Sequence, residues 1–198
     1  GNEMTAAVTP QINILPSLDI NAKDFQALHK EGVTSVCLIP GSGNVIGGQG
    51  VVVKTAGKAT VHDLVVKNPA VMKCAMGGNP KTYQGAKGRM PMTRMGVAFV
   101  LRDTLRQAKE YMEKKSASDY DAKMEALLPV LRREIPLKVH CEQFDMVTLI
   151  RIAKEFGCDY TIEHGWACSL YADELVEGGG TLCFGPIGIP EGYGELCG

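Results

Sequence analysis

An α/β domain built around a parallel sheet is the fold class this sequence predicts, and two observations carry it. Short apolar runs rich in β-branched residues, such as 33–39 and Leu137–Cys141, alternate with stretches of helical periodicity. In the second half the alternation is regular: a strand over Leu137–Cys141, a helix over Asp145–Phe156, a strand over 158–164, a helix over 169–177 and a strand over Thr181–Phe184. Strands and helices spaced in this way imply right-handed βαβ units, in either a doubly wound sheet or a barrel. Gly157 and Gly178 stand where helix C-caps are expected.

The first half reads less regularly. Residues 12–20 look extended, 24–31 helical, and 33–39 like a strand buried on both faces that ends at Pro40-Gly41. A glycine-rich loop over 41–50 leads into a second extended piece at 51–55, and 70–76 forms another short apolar strand. The helix over 93–115 is marked by Val97, Leu101, Leu105, Ala108 and Met112. Ser118 and Asp121 have capping-box spacing ahead of the apolar stripe Met124, Leu127, Leu128 and Leu131, and this helix ends before Pro136. The segment 89–94, polar and methionine-containing, reads either as a loop over the mouth of a barrel or as an ordinary surface connection.

Composition narrows the function classes. The chain of 198 residues, 45% hydrophobic and 22% charged, is expected to form a single globular domain over 1–198. Its formal net charge of −1 provides no field to recruit nucleic acid or an anionic membrane. No apolar run approaches the ~18 residues of a membrane span, and the start Gly1-Asn2-Glu3-Met4 lacks a basic segment leading into an apolar one. Seven cysteines, odd in number and without CxxC pairing, read as reduced thiols, so a cytoplasmic location is expected.

The chemistry concentrates at two strand ends. His140 in Val-His-Cys-Glu and His164 in Glu-His-Gly close consecutive predicted strands, one βα unit apart. Parallel neighbours lie about 4.8 Å apart, so imidazoles at adjacent strand ends can share one Zn²⁺ at about 2.0 to 2.1 Å from each nitrogen. Active sites of barrels and open α/β sheets lie at that edge. The alternative is a pair of hydrogen-bonded residues on the rim of a core. Glu142 and Glu163 flank the histidines as candidate orienters of the imidazoles, although strand alternation can turn Glu163 away. Lys73, a charge among apolar residues, needs either an exit to solvent or a specific partner. The 41–50 run lacks the Lys-Ser/Thr of a P-loop and the GxGxxG spacing, and it precedes an extended segment, so phosphate binding is not expected.

Several segments together resemble the imidazolonepropionase-like subgroup of the metal-dependent amidohydrolases. They are Pro136-Leu-Lys-Val-His-Cys141, Thr148-Leu-Ile-Arg-Ile-Ala-Lys-Glu-Phe-Gly157, Ile162-Glu-His-Gly165, Pro40-Gly-Ser-Gly-Asn44 with Gly47-Gly-Gln49, Asn79-Pro-Lys81 and Gly88-Arg-Met-Pro-Met-Thr-Arg-Met95. The resemblance implies a partial (β/α)₈ TIM-type barrel, about strands 2–7 of the parent, and hydrolysis of amide or other C–N bonds with one or two Zn²⁺ ions. It makes His140 and His164 the metal ligands after the fifth and sixth strands. Lys73 corresponds to the carboxylated fourth-strand lysine that bridges two metals in some members, within a looser local match. Small-molecule amides, cyclic amides or dipeptides are the implied substrates.

Two departures qualify this. None of the four histidines forms the HxH pair of the first strand, and the eighth-strand aspartate that would act as general base has no counterpart. The chain is therefore expected to be a truncated internal piece, inactive alone, with unpaired sheet edges covered by homo-oligomerisation or an altered topology. A non-catalytic scaffold or binding fragment of the same fold is the alternative function.

Overall fold

The computed structural model describes residues 1–57, 60–114 and 120–186. One six-stranded sheet frames it, in the order β1 (Ser35–Leu38), β2 (Ile46–Lys54), β3 (Val65–Ala75), β4 (Leu137–Cys141), β5 (Tyr160–His164) and β6 (Thr181–Phe184). The helices are α1 (Lys23–Lys30), α2 (Gly78–Gly85), α3 (Arg94–Lys114), α4 (Ala122–Leu131), α5 (Asp145–Phe156) and α6 (Ala172–Gly178). From β3 to β6 the strands are parallel, with α2 to α4, then α5, then α6 in the crossovers.

The first three strands depart from the expected parallel sheet: β1 pairs antiparallel with β2, and β2 antiparallel with β3. Parallel pairing needs a crossover of about a dozen residues or more, and the connections 39–45 and 55–64 fall short of that. Edge position also corrects the reading of 33–39. Only Ser35–Leu38 forms a strand, half-buried with Cys37 exposed, because among the described residues no strand pairs beyond β1.

The second half of the glycine-rich run belongs to the sheet, whereas 41–45 form the expected loop. β2 begins at Ile46, and Gly48 (φ +127°) sits at a register shift where the 1–14 segment crosses close by. A Cβ on Gly48 would come within 2.4 Å of the Ile12 carbonyl oxygen. That segment is not extended over 12–20 as expected; single bridges pair Val8 with Ile46 and Asn13 with Gln49, and Leu15–Ser17 forms a 3₁₀ turn. Helix α2 was hidden in the sequence, since Gly77, Gly78, Pro80 and Gly85 mask its signal.

The apolar stripe of α3 lies where the periodicity placed it except at Met112, which is exposed near the end of the helix. Val97, Leu101, Leu105 and Ala108 are fully buried, and they join Met72, Cys74, Leu137, Val139, Ile162, Leu127, Leu149 and Ile152 in the main core. Burying each leucine contributes roughly 1.5 to 3 kcal/mol before ordering entropy is counted. Thr93 Oγ1 accepts the Gly96 N–H at 3.0 Å at the start of α3. Asp121 is the N-cap of α4, its carboxylate accepting the Lys123 and Met124 amides, whereas Ser118 lies outside the described residues. Gly157 caps α5 in the left-handed conformation, and Gly179 rather than Gly178 does so for α6.

Helices therefore cover one face of β3 to β5. The opposite face is the inside of a curl: Ile39 to Ser42, which follow β1, and Cys183 to Gly185, at the end of β6, line one cavity of about 490 Å³. Residues beyond the two outermost strands meet there, so the sheet is bent into a half-barrel, compatible with part of a TIM-like barrel.

Candidate active site at the strand ends

Alternation along the strands decides which side chains face the hollow. Leu137, Val139 and Cys141 of β4 join the helix-side core, so Lys138 and His140 face inward. On β5, Tyr160 and Ile162 belong to the core, and Thr161 and Glu163 face inward. By the same alternation His164 belongs on the helix side. Its backbone instead takes a left-handed conformation (φ +75°), which ends the strand, and the ring packs against His140. The two imidazole centroids are 4.4 Å apart with the planes at 67°, and Trp166 stacks 5.2 Å beyond His164.

The ring nitrogens are differently engaged. His164 Nδ1 lies 2.8 Å from the Gly185 carbonyl oxygen, which can only accept, so Nδ1 is the donor of this contact. His140 Nε2 lies 3.2 Å from the Asn79 side-chain amide, while its Nδ1 is buried without a hydrogen-bond partner. Burial first, then the neighbouring His164 and Lys73, push His140 down to about 3, so its ring is neutral at ordinary pH.

Lys73 lies inward on β3, opposite Lys138 of β4. It does not reach solvent: it is 3% exposed, and Nζ donates to Ser42 Oγ at 3.0 Å and to the Cys74 carbonyl at 2.8 Å. Burial pulls its ammonium down to about 8. Lys73, Ser42, Glu163 and His164 line the same cavity. Glu163 does not orient an imidazole; it accepts from Lys138 Nζ at 2.6 Å and Thr161 Oγ1 at 2.8 Å. Glu142 is buried beside the histidines, its Oε2 without a hydrogen-bond partner, and burial raises its carboxyl while Arg94 and His164 oppose the rise.

These residues match what a divalent ion requires from two histidines. A ligating imidazole normally anchors its other nitrogen on a fixed partner, as His164 does on Gly185, and the orphaned Nδ1 of His140 is the atom lacking one. The set stops at two, because among the described residues no group of three or more His, Cys, Asp and Glu could hold a metal ion. A larger cavity of about 650 Å³ opens between Arg133, Asp159, Tyr160 and Gly178, at the other end of β4 to β6. It contains neither histidine, so the chemistry points to the smaller one.

Ser42, Asn79 and the Arg94–Asp145 ion pair (2.9 Å) were not singled out as site residues in the sequence. Their positions carry no local signal, since Ser42 is separated from Lys73, and Asn79 from His140, by most of a βα unit or more. Segment 89–94 does approach this end of the sheet, through Arg94.

No protein-family profile matches the chain. In sequence, it is 27% identical over 184 residues to the protein named "Amidohydrolase tasK" of Hapsidospora irregularis, covering 78% of this chain and 19% of that protein. In structure, the crystal structure of an amidohydrolase from Thermotoga maritima MSB8 superposes with a TM-score of 0.90 and 39% identity, over 94% of this chain and 51% of that one. Both similarities support an amidohydrolase family. The chain thus spans about half the length of the solved amidohydrolase and a smaller share of the curated one. Among the described residues no helix is long and apolar enough to cross a membrane.

Proposed function

We propose that this chain carries part of the active site of a metal-dependent hydrolase of amide or other C–N bonds. The observation that carries the reading is the pair of imidazoles at the ends of β4 and β5, with centroids 4.4 Å apart. His140 Nδ1 and His164 Nε2 are the ligand atoms. Zn²⁺, when bound, supplies Lewis-acid activation of water and of the scissile carbonyl. Gly185 holds the His164 ring through its Nδ1–H, and Trp166 limits water on the far side of that ring.

Lys73 is the third residue of the reading. With its ammonium lowered to about 8, roughly a tenth of the side chain is a neutral amine at pH 7. A neutral amine can attack CO₂, forming an N–C bond and releasing a proton, and the resulting carbamate is an anionic oxygen ligand. Ser42 Oγ, 3.0 Å from Nζ, holds the amine in place. The proton acceptor implied by the family resemblance, a late aspartate, has no counterpart in this sequence, so the chain by itself is proposed to bind metal weakly and not to turn over. Small amides, cyclic amides and dipeptides are the proposed substrates, and a homo-oligomer the proposed assembly.

One observation favours a non-catalytic scaffold instead: the donor set among the described residues stops short of three. Zinc uptake in equilibrium dialysis against excess Zn²⁺, for the chain and for a His140→Ala, His164→Ala double variant, separates the two. Zinc near one equivalent, lost in the variant, supports the hydrolase site; zinc in neither leaves only the scaffold.

A further inference from the structure

Asn79 is the second residue of α2, on the turn that leaves β3, and its side-chain Nδ2 lies 3.2 Å from His140 Nε2. The left-handed Gly77 (φ +72°) makes that turn, and a Cβ there would come within 2.9 Å of Asp145 Oδ2. The amide is thus delivered to the ring by a tightly packed bend. An amide has one accepting oxygen and one donating nitrogen, so which atom faces Nε2 decides the state of the ring. With the nitrogen facing it, as placed here, Nε2 must accept, the ring proton moves to Nδ1, and a buried N–H is left without an acceptor, a cost that turning the amide over removes. With the oxygen facing it, Nε2–H donates to Asn79, and Nδ1 keeps its lone pair.

The neighbouring ring shows the same arrangement already made. The Gly185 carbonyl can only accept, so it commits a proton to His164 Nδ1 and selects the tautomer whose lone pair is on Nε2. We propose that Asn79 is the positioning residue that does for His140 what Gly185 does for His164, its Oδ1 accepting the Nε2–H and committing Nδ1 to a ligand. Each ring then keeps a lone pair for a ligand, which two imidazoles 4.4 Å apart need in order to act on one cation. This rests on the metal-site reading above, but the tautomer of His140 can be read without any metal.

The test uses the full chain, freed of metal and labelled with ¹⁵N-histidine, with the His140 signals assigned by their loss in His140→Ala. The wild-type protein is expected to show the proton on Nε2. Asn79→Asp, which can only accept, keeps that tautomer, whereas Asn79→Leu loses its dominance. In zinc titrations Asn79→Leu weakens binding by about 10- to 100-fold with an unchanged circular dichroism spectrum, and Asn79→Asp restores it. A proton on Nδ1 in the metal-free wild type overturns the proposal, as does wild-type zinc affinity in Asn79→Leu. If the wild type binds no zinc, the metal-site reading falls and the ¹⁵N spectrum alone decides the role of Asn79.

Discussion

Replacing Arg94 with Met tests how the site end of the sheet is held. Arg94 Nε donates to Asp145 Oδ2 at 2.9 Å, and the Asp145 side chain is 5% exposed against 36% for Arg94. Methionine keeps much of the apolar stem and removes the charge, leaving a buried carboxylate without its cation. Breaking a buried pair in this way costs about 3 to 5 kcal/mol. Asp145 sits in the first turn of α5, where the helix N-terminus favours a negative charge and returns about 0.3 to 1 kcal/mol. Partial exposure of Arg94 lowers the figure further, so a loss of about 2 to 4 kcal/mol is expected. Urea unfolding at pH 7, followed by Trp166 fluorescence, measures it as a lower midpoint at unchanged slope. Arg94 also lies over the Phe144 ring, 5.2 Å from its centroid, and Phe144→Ala isolates that contact at about 0.5 to 1 kcal/mol. Adding Asp145→Asn to Arg94→Met should recover more than half the loss. A shift below about 0.5 kcal/mol in Arg94→Met, or no recovery in the double variant, would refute the ion-pair reasoning.

Acid should destabilise the metal-free chain through His140. Its folded value of about 3 lies below its ordinary 6.5, so the unfolded chain takes up a proton that the folded one refuses. The stabilisation is complete above pH 6.5 and is lost as pH falls toward 3, at up to about 1.4 kcal/mol per pH unit. Urea midpoints across that range should fall less steeply in His140→Gln, and parallel profiles would contradict the burial. Gly48→Ala places a methyl 2.4 Å from a backbone oxygen at φ +127°, so a loss of at least about 2 kcal/mol is expected in thermal melts. A Tm unchanged within a degree would mean that the 1–14 segment does not pack on β2.

The second half of the fold was legible because its signals are local. Leu137–Cys141, Asp145–Phe156 and Thr181–Phe184 occur with the bounds that periodicity and caps predict, and the α3 stripe reports its own buried face. The first half was not, because strand direction depends on which strand is the neighbour rather than on the residues within it. Ser35–Leu38 reads as a buried strand and sits at an edge, while Gly47 to Gly50 read as a loop and lie in β2.

At the site, the sequence by itself determined the residue types and their places along the strands: His140 and His164 at strand ends and Lys73 near the C-terminal part of its strand. Tertiary structure alone decided how they are used. A left-handed residue turned His164 off its strand toward His140, and a curl of the sheet set Ser42 beside Lys73. The turn after β3 brought Asn79 to the imidazole. Hydrogen-bond partners of this kind come from separate elements, so a distance of about 3 Å between them is a property of packing and leaves no trace in local sequence pattern.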